Sequence, residues 1–233
     1  MKGRKRREDE KKRQLPRQNL VLGIMIGLLL GLVACSGPLV PPPLPGEPLP
    51  GTYGEAVRIV EGTVENAGAL GSDHIWAWTI EGKTVASVIA GGPLRPDGSF
   101  YLVLPETVAH ENLYPLRDMC RRGLVFSSPY VGGLLVPLLA DTVGTNVLHT
   151  TSSRAWHSPK KGDRASIRIY VDRDTTLTGR CTRGEYRGLS AALTLREGWN
   201  LALVEITSTG LFSWALEIRS ELPPDDARWY AFP

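Results

Sequence analysis

From residue 53 onward, hydrophobic and polar positions alternate with the two-residue period of strands. In the clearest case Ala165, Ile167, Ile169 and Val171 alternate with Ser166, Arg168 and Tyr170; in another, Phe212, Trp214, Leu216 and Ile218 alternate with Ser213, Ala215, Glu217 and Arg219. Each alternation puts one face in a core and the other toward water. Further strands are expected over 57–65, 75–80, 84–89, 100–104, 146–150, 175–179, 189–195 and 201–208. Glu81-Gly82, Pro96-Asp97-Gly98, Gly184 and Glu197-Gly198 separate them as turns. After residue 52 only a short turn around 113–121 reads as helical. Many short strands with frequent turns predict an all-β antiparallel sandwich, as one large or two small units. Residues 106–160, with Pro115, Pro129 and Pro137, carry few clear patterns. A boundary is therefore expected near 110, separating a sandwich over 52–110 from a second sandwich, or a continuation of the first, over 111–233.

The front of the chain follows a different pattern. Leu20 to Ala34 is a 15-residue apolar run with three glycines and no charge. It is short for a permanent span, which needs about 20 apolar residues. A basic segment, an apolar run and small residues before a cleavage point suit a secretory signal instead. Residues 37–51, GPLVPPPLPGEPLPG, hold seven prolines in fifteen positions. Proline fixes φ and has no N–H, so this stretch can enter neither a helix interior nor a central strand. As polyproline II it would extend roughly 45 Å, at about 3.1 Å per residue.

Charge changes meaning once this division is made. The whole chain carries a formal +3, but residues 1–34 hold nine basic and three acidic residues, a net of +6. The remainder has 18 basic and 21 acidic residues, a net of −3. A mildly acidic body without a basic stripe excludes nucleic acid as a partner.

Leu32-Val33-Ala34-Cys35, at the end of the apolar run, resembles the lipobox of bacterial lipoproteins. The resemblance implies that residues 1–34 are a signal peptide cleaved between Ala34 and Cys35. It also implies that Cys35 carries a diacylglycerol on its thiol and a fatty acid such as palmitate on its new α-amine. Two or three chains hold a protein stably, because each buried methylene contributes about 0.8 kcal/mol. Residues 35–51 would then be the lipidated cysteine and its linker. The expected location is the bacterial cell envelope, on a membrane that is the outer membrane or cell surface rather than the cytoplasmic membrane.

Within the body, VRIVEGTVENAG, IWAWTIEGKTVAS and RPDGSFYLVLP resemble transthyretin-like or carboxypeptidase-regulatory-like modules over about residues 56–105. YVDRDTTLTG with LTLREGWNLALVEI is similar to uncharacterised envelope lipoproteins. Neither resemblance implies an activity.

Candidate chemistry is sparse. Beyond Cys35, Cys120 and Cys181 form an even pair in an exported protein, which suits either a disulfide or two buried thiols. Trp76 and Trp78, two apart, share a strand face. The bulkier face is the expected core, with a ligand platform for sugar rings as the alternative. Trp199, in the turn Glu197-Gly198-Trp199-Asn200, is expected to plug a hairpin end. Asp172 and Asp174 are spaced like calcium-loop ligands, but Thr176 and Leu177 break that pattern and leave a polar strand end. His74, His110, His149 and His157 lack metal spacing. No HExxH, GxSxG or phosphate-cradling loop occurs, so no catalytic residue, metal or cofactor is assigned. The expectation is a lipid-anchored envelope protein that binds a glycan or another envelope protein, or serves a structural role. A hydrolase of envelope polymers is the alternative.

Overall fold

The computed structural model describes residues 49–232 apart from 82–83, 121–122, 142–144, 154–157, 182–187 and 211–213. Ala34, Cys35, the signal segment and the proline-rich stretch as far as residue 48 lie outside the described residues. Of the described residues 57% are in strands and 8% are helical, which makes the fold all-β and sandwich-like.

The elements run in order α1 (Glu55–Arg58), β1 (Ile59–Thr63), β2 (His74–Glu81), β3 (Thr84–Pro93), β4 (Ser99–Val103), β5 (Tyr114–Pro115), β6 (Leu124–Phe126), β7 (Gly132–Ala140), β8 (Asn146–Thr150), β9 (Arg164–Val171), β10 (Thr175–Cys181), β11 (Gly188–Leu195), β12 (Gly198–Thr209), β13 (Trp214–Arg219) and β14 (Arg228–Phe232). One large sheet follows the order β3-β2-β7-β8-β9-β12-β13-β11-β10-β6, with β14 on β8 and β5 on β7; β7 also pairs β9. β1 and β4 form a separate antiparallel pair. Most pairings are antiparallel, but β11 and β13 run parallel. The β2–β7 pairing carries the sheet across residue 110, so the 111–233 segment continues the structure begun by 52–110.

Two cores lie on opposite faces of this sheet. Ile167, Ile169, Leu193, Leu195, Ala202 and Ile206 fill one. Val60, Ile75, Leu102, Leu134, Tyr170 and Trp199 fill the other, which the β1–β4 pair covers. Central strands are thus buried on both sides. On β9 the face expected to meet water buries Ser166 and Tyr170, so the one-sided reading of that alternation is corrected. A strand clad on both faces needs apolar or satisfied polar groups at every position.

The strands that escaped sequence reading have physical reasons for doing so. β7 reads GGLLVPLLA, a continuous apolar run interrupted by proline. Gly133 to Val136 pair with β9, whereas Leu139 and Ala140 pair with β8. Pro137 sits where one neighbour is exchanged for the other, a position that tolerates the missing N–H. The faces also exchange there: Leu134 and Val136 enter the second core, and so does Leu139, three positions on. A strand can do this only with an irregularity, and the β2–β7 register shifts between Trp78 and Ile80. The expected strand over 57–65 begins instead as the single helical turn α1, after Gly54 at φ 92° redirects the chain. The helical turn expected over 113–121 is a 3-10 turn, Leu116–Met119.

The first described residues are stitched onto β12. Leu201 N–H donates to Thr52 O at 2.7 Å, Gly54 N–H donates to Trp199 O at 3.2 Å, and Tyr53 bridges Asn200. They occupy the edge of β12 N-terminal to its pairing with β13, which starts at Leu203.

Candidate functional site

β2 decides where the candidate platform lies. Its odd positions Ile75, Ala77 and Thr79 are the ones most fully buried, at 0%, 0% and 1% exposure. The bulkier face carrying Trp76 and Trp78, expected to be the core face, is only half-buried. The reason is the space available: with the second core already lined by β1 and β4, the smaller face fits there. Trp78 still packs on the first core, and its Nε1–H is buried with no hydrogen-bond partner among the described residues.

Trp76 has a different setting. Its strand partners are Gly91 on β3 and Ala140 on β7, both small. A Cβ on residue 91 would come within 2.2 Å of Trp76 Cε3, so the indole lies against the backbone of β3 in space that only glycine leaves open. The His74 ring lies 5.8 Å from the indole and within 19° of parallel, which extends the surface along the strand. His74 Nδ1 is 2.9 Å from Asp73 Oδ1, and this contact, with the charge of the imidazole, holds the Asp73 carboxyl below its usual range.

Asp73 also lines an open cleft of about 660 Å³, formed by Ala67, Gly68, Leu70 to Asp73 and Leu94 to Pro96. Leu94 N–H donates to Asp73 O at 2.8 Å, tying its two walls together. Behind it, the buried Asp141 carboxylate accepts Gly71 N–H at 2.9 Å and Thr145 N–H at 2.8 Å, fixing the loop that forms the floor. Arg95, on the rim, is exposed: its backbone N–H donates to Ser99 O at 2.8 Å and its carbonyl accepts Gly98 N–H at 2.9 Å, while its side chain makes no hydrogen bond or ion pair with the described residues. Sequence reading missed Asp73, His74 and Arg95 as a group. The available signal was the polar Ser72-Asp73-His74 leading into a strand and the Gly91-Gly92 pair opposite Trp76.

Asp172 and Asp174 are turn residues. Asp172 accepts Gly132 N–H at 3.1 Å and pairs with Arg173, while Asp174 accepts Glu197 N–H at 2.8 Å and Arg196 Nη1–H at 2.7 Å. The Glu197 N–H and the Arg196 guanidinium hold the Asp174 carboxyl below its usual range. Among the described residues no group of three or more His, Cys, Asp or Glu is placed to hold a metal ion. His110 lies in a 3-10 turn, and His157 is outside the described residues. Cys120 and Cys181 are joined as a disulfide, with Cα atoms 6.4 Å apart.

His149, on β8, is wedged against the Trp229 ring at 4.9 Å, with Nδ1 2.9 Å from Ser166 Oγ. Burial first, and then the nearby Arg168 charge, push its pKa down to about 4. Burial also pushes the Arg168 guanidinium down to about 10, where its Nε–H donates to Val57 O at 3.0 Å. Because the folded-state pKa of His149 lies below its unfolded value, its contribution is complete above about pH 6.5 and is lost as pH falls toward 4. The expected loss is about 2 to 3 kcal/mol, discounted for partial exposure. Chemical denaturation of wild type and His149→Phe across pH 7 to 4 checks this: the difference between the two should shrink on acidification, and parallel curves would refute it.

No known family, no curated protein and no solved structure matches the chain.

Proposed function

We infer that this is a lipid-anchored protein of the bacterial cell envelope that acts by binding. The anchor reading is supported by the order of segments: a basic start, an apolar run ending in LVAC, and a proline-rich stretch leading into the body. The stitching of Thr52 and Gly54 to β12 is consistent with that order, because a pull on the tether would meet the sheet interior instead of a loose end.

The observation that carries binding is the Trp76 indole, half-exposed on a strand face where glycine makes room for it. Large aromatic surface left partly open on a rigid strand suits recognition, since the ring loses little conformational freedom on contact. The hydrolase alternative rests on carboxylates, and Asp172 and Asp174 are engaged in holding turns.

Membrane fractionation tests the anchor. Cys35→Ala should release the protein from the membrane fraction and abolish fatty-acid labelling, and undiminished retention would refute it. Crosslinking in the native envelope tests the binding face: Trp76→Ala should lose the wild-type products, whereas an unchanged product pattern would refute that face.

A further inference from the structure

The His74–Trp76 surface and the cleft adjoin at Asp73. Asp73 lines the cleft and touches His74, and His74 lies alongside Trp76, so a chain of contacts links the indole to the wall of a polar hollow. We propose that these residues form a saccharide site, with one sugar ring laid on Trp76 and its neighbour seated in the cleft between Asp73 and Arg95. This rests on the binding reading above and names the ligand class for that face.

Three features favour a saccharide over an apolar or peptide ligand. The negative face of an indole attracts the weakly positive C–H groups on one side of a pyranose, and it does so without demanding charge. Sugar hydroxyls need both acceptors and donors at the ring edge, which the Asp73 carboxylate and the Arg95 guanidinium, both lining the cleft, supply. The Asp73 side chain is 88% exposed and gives up only its contact with His74 Nδ1 on turning toward a ligand, and the Arg95 side chain makes no hydrogen bond or ion pair with the described residues. An Asp and an Arg together leave the hollow near neutral, which fits an uncharged polyol better than a strongly acidic or basic partner. The open shape of the cleft also suits a segment of a chain.

The indole sits on a paired strand, and the cleft beside it is formed by the segments flanking β2 and β3. Trp76 is held between β3 and β7, and the cleft floor is fixed by the buried Asp141 carboxylate. Gly91 is part of the design: a side chain there would displace the indole from its seat.

Isothermal titration of the full-length lipoprotein in detergent with chitotetraose and cellotetraose tests the assignment. At least one should bind with a Kd of about 1 mM or tighter. Trp76→Ala and Arg95→Ala should each weaken that binding by about tenfold, the size of one lost stacking or charge-assisted contact, and Trp76→Tyr should restore most of it. No binding heat from either sugar at about 10 mM, ten times above a millimolar Kd, overturns the saccharide assignment. The binding reading then survives only if envelope crosslinking still recovers Trp76-dependent products. Sugar binding that both alanine variants retain overturns the placement at this site.

Discussion

Trp199→Ala should lower the unfolding free energy by about 3 to 5 kcal/mol, the usual range for emptying a buried Trp site. The expected magnitude comes from where the ring sits. Trp199 is 2% exposed and is the largest fully buried side chain among the described residues. Its ring meets Tyr170 edge-on at 5.4 Å, and its Nε1–H donates to Pro105 O at 2.7 Å. It thereby joins β12, β9 and the segment after β4. Trp199→Phe keeps most of the packing but strands the Pro105 carbonyl, which should cost less than alanine. Urea denaturation of the three proteins checks the order; an alanine variant within about 1 kcal/mol of wild type would contradict this account, since surface changes give that much.

Cys120→Ala with Cys181→Ala should lower the melting temperature by about 10 °C. The bond closes a loop between residues 61 positions apart. Removing such a cross-link costs about 4 kcal/mol in the chain-entropy model, and each kcal/mol shifts a domain of this size by roughly 2 to 4 °C. The location makes the bond more than an entropic tie. Cys181 ends β10, Cys120 follows the 3-10 turn before β6, and between them Arg180 N–H donates to Gly123 O at 2.9 Å. The disulfide thus pins the last strand of the large sheet, β6, which has three residues. Alanine is the right substitution, because Cys120 and Cys181 are 5% and 0% exposed and serine would bury a hydroxyl. Differential scanning calorimetry with and without reductant checks it: reductant should bring wild type down to the variant and leave the variant unmoved. A variant melting with wild type would remove the claim.

Individual strands were legible where one period held over their whole length. Thr150 ends an expected strand that matches β8 residue for residue, and the alternation beginning at Ala165 matches β9 within one position. Turns were legible where glycine marked them: Gly198, at φ 94°, opens β12 directly after the turn from β11. Asn200 completes that turn by donating to Arg196 O and Gly198 O and accepting Arg196 N–H. β7 and β14 were not legible. β7 is buried on two faces, so it shows no alternation for a two-residue period to reveal, and β14 is only five residues long, with apolar or aromatic residues at its last four positions.

The candidate site divides the same way. Trp76 was visible as a large aromatic on a strand, but its face was not. Which side of β2 is core depends on what lies against it, and that is the β1–β4 pair folded over the sheet. Arg95 is 19 residues beyond Trp76, and only the β2–β3 hairpin brings its strand back alongside.

By itself, the sequence determined the division of the chain into an apolar run, a proline-rich stretch and a β-rich body, together with most of the strands. These follow from local chemistry: hydrophobic period, proline's fixed φ and glycine's freedom act within a few residues. The tertiary structure alone decided the sheet order, the exchange of neighbours at Pro137, the two-sided burial of the central strands and the joining of Asp73, His74, Trp76 and Arg95. Those depend on which distant surfaces meet, and burial is a property of the meeting, not of either segment.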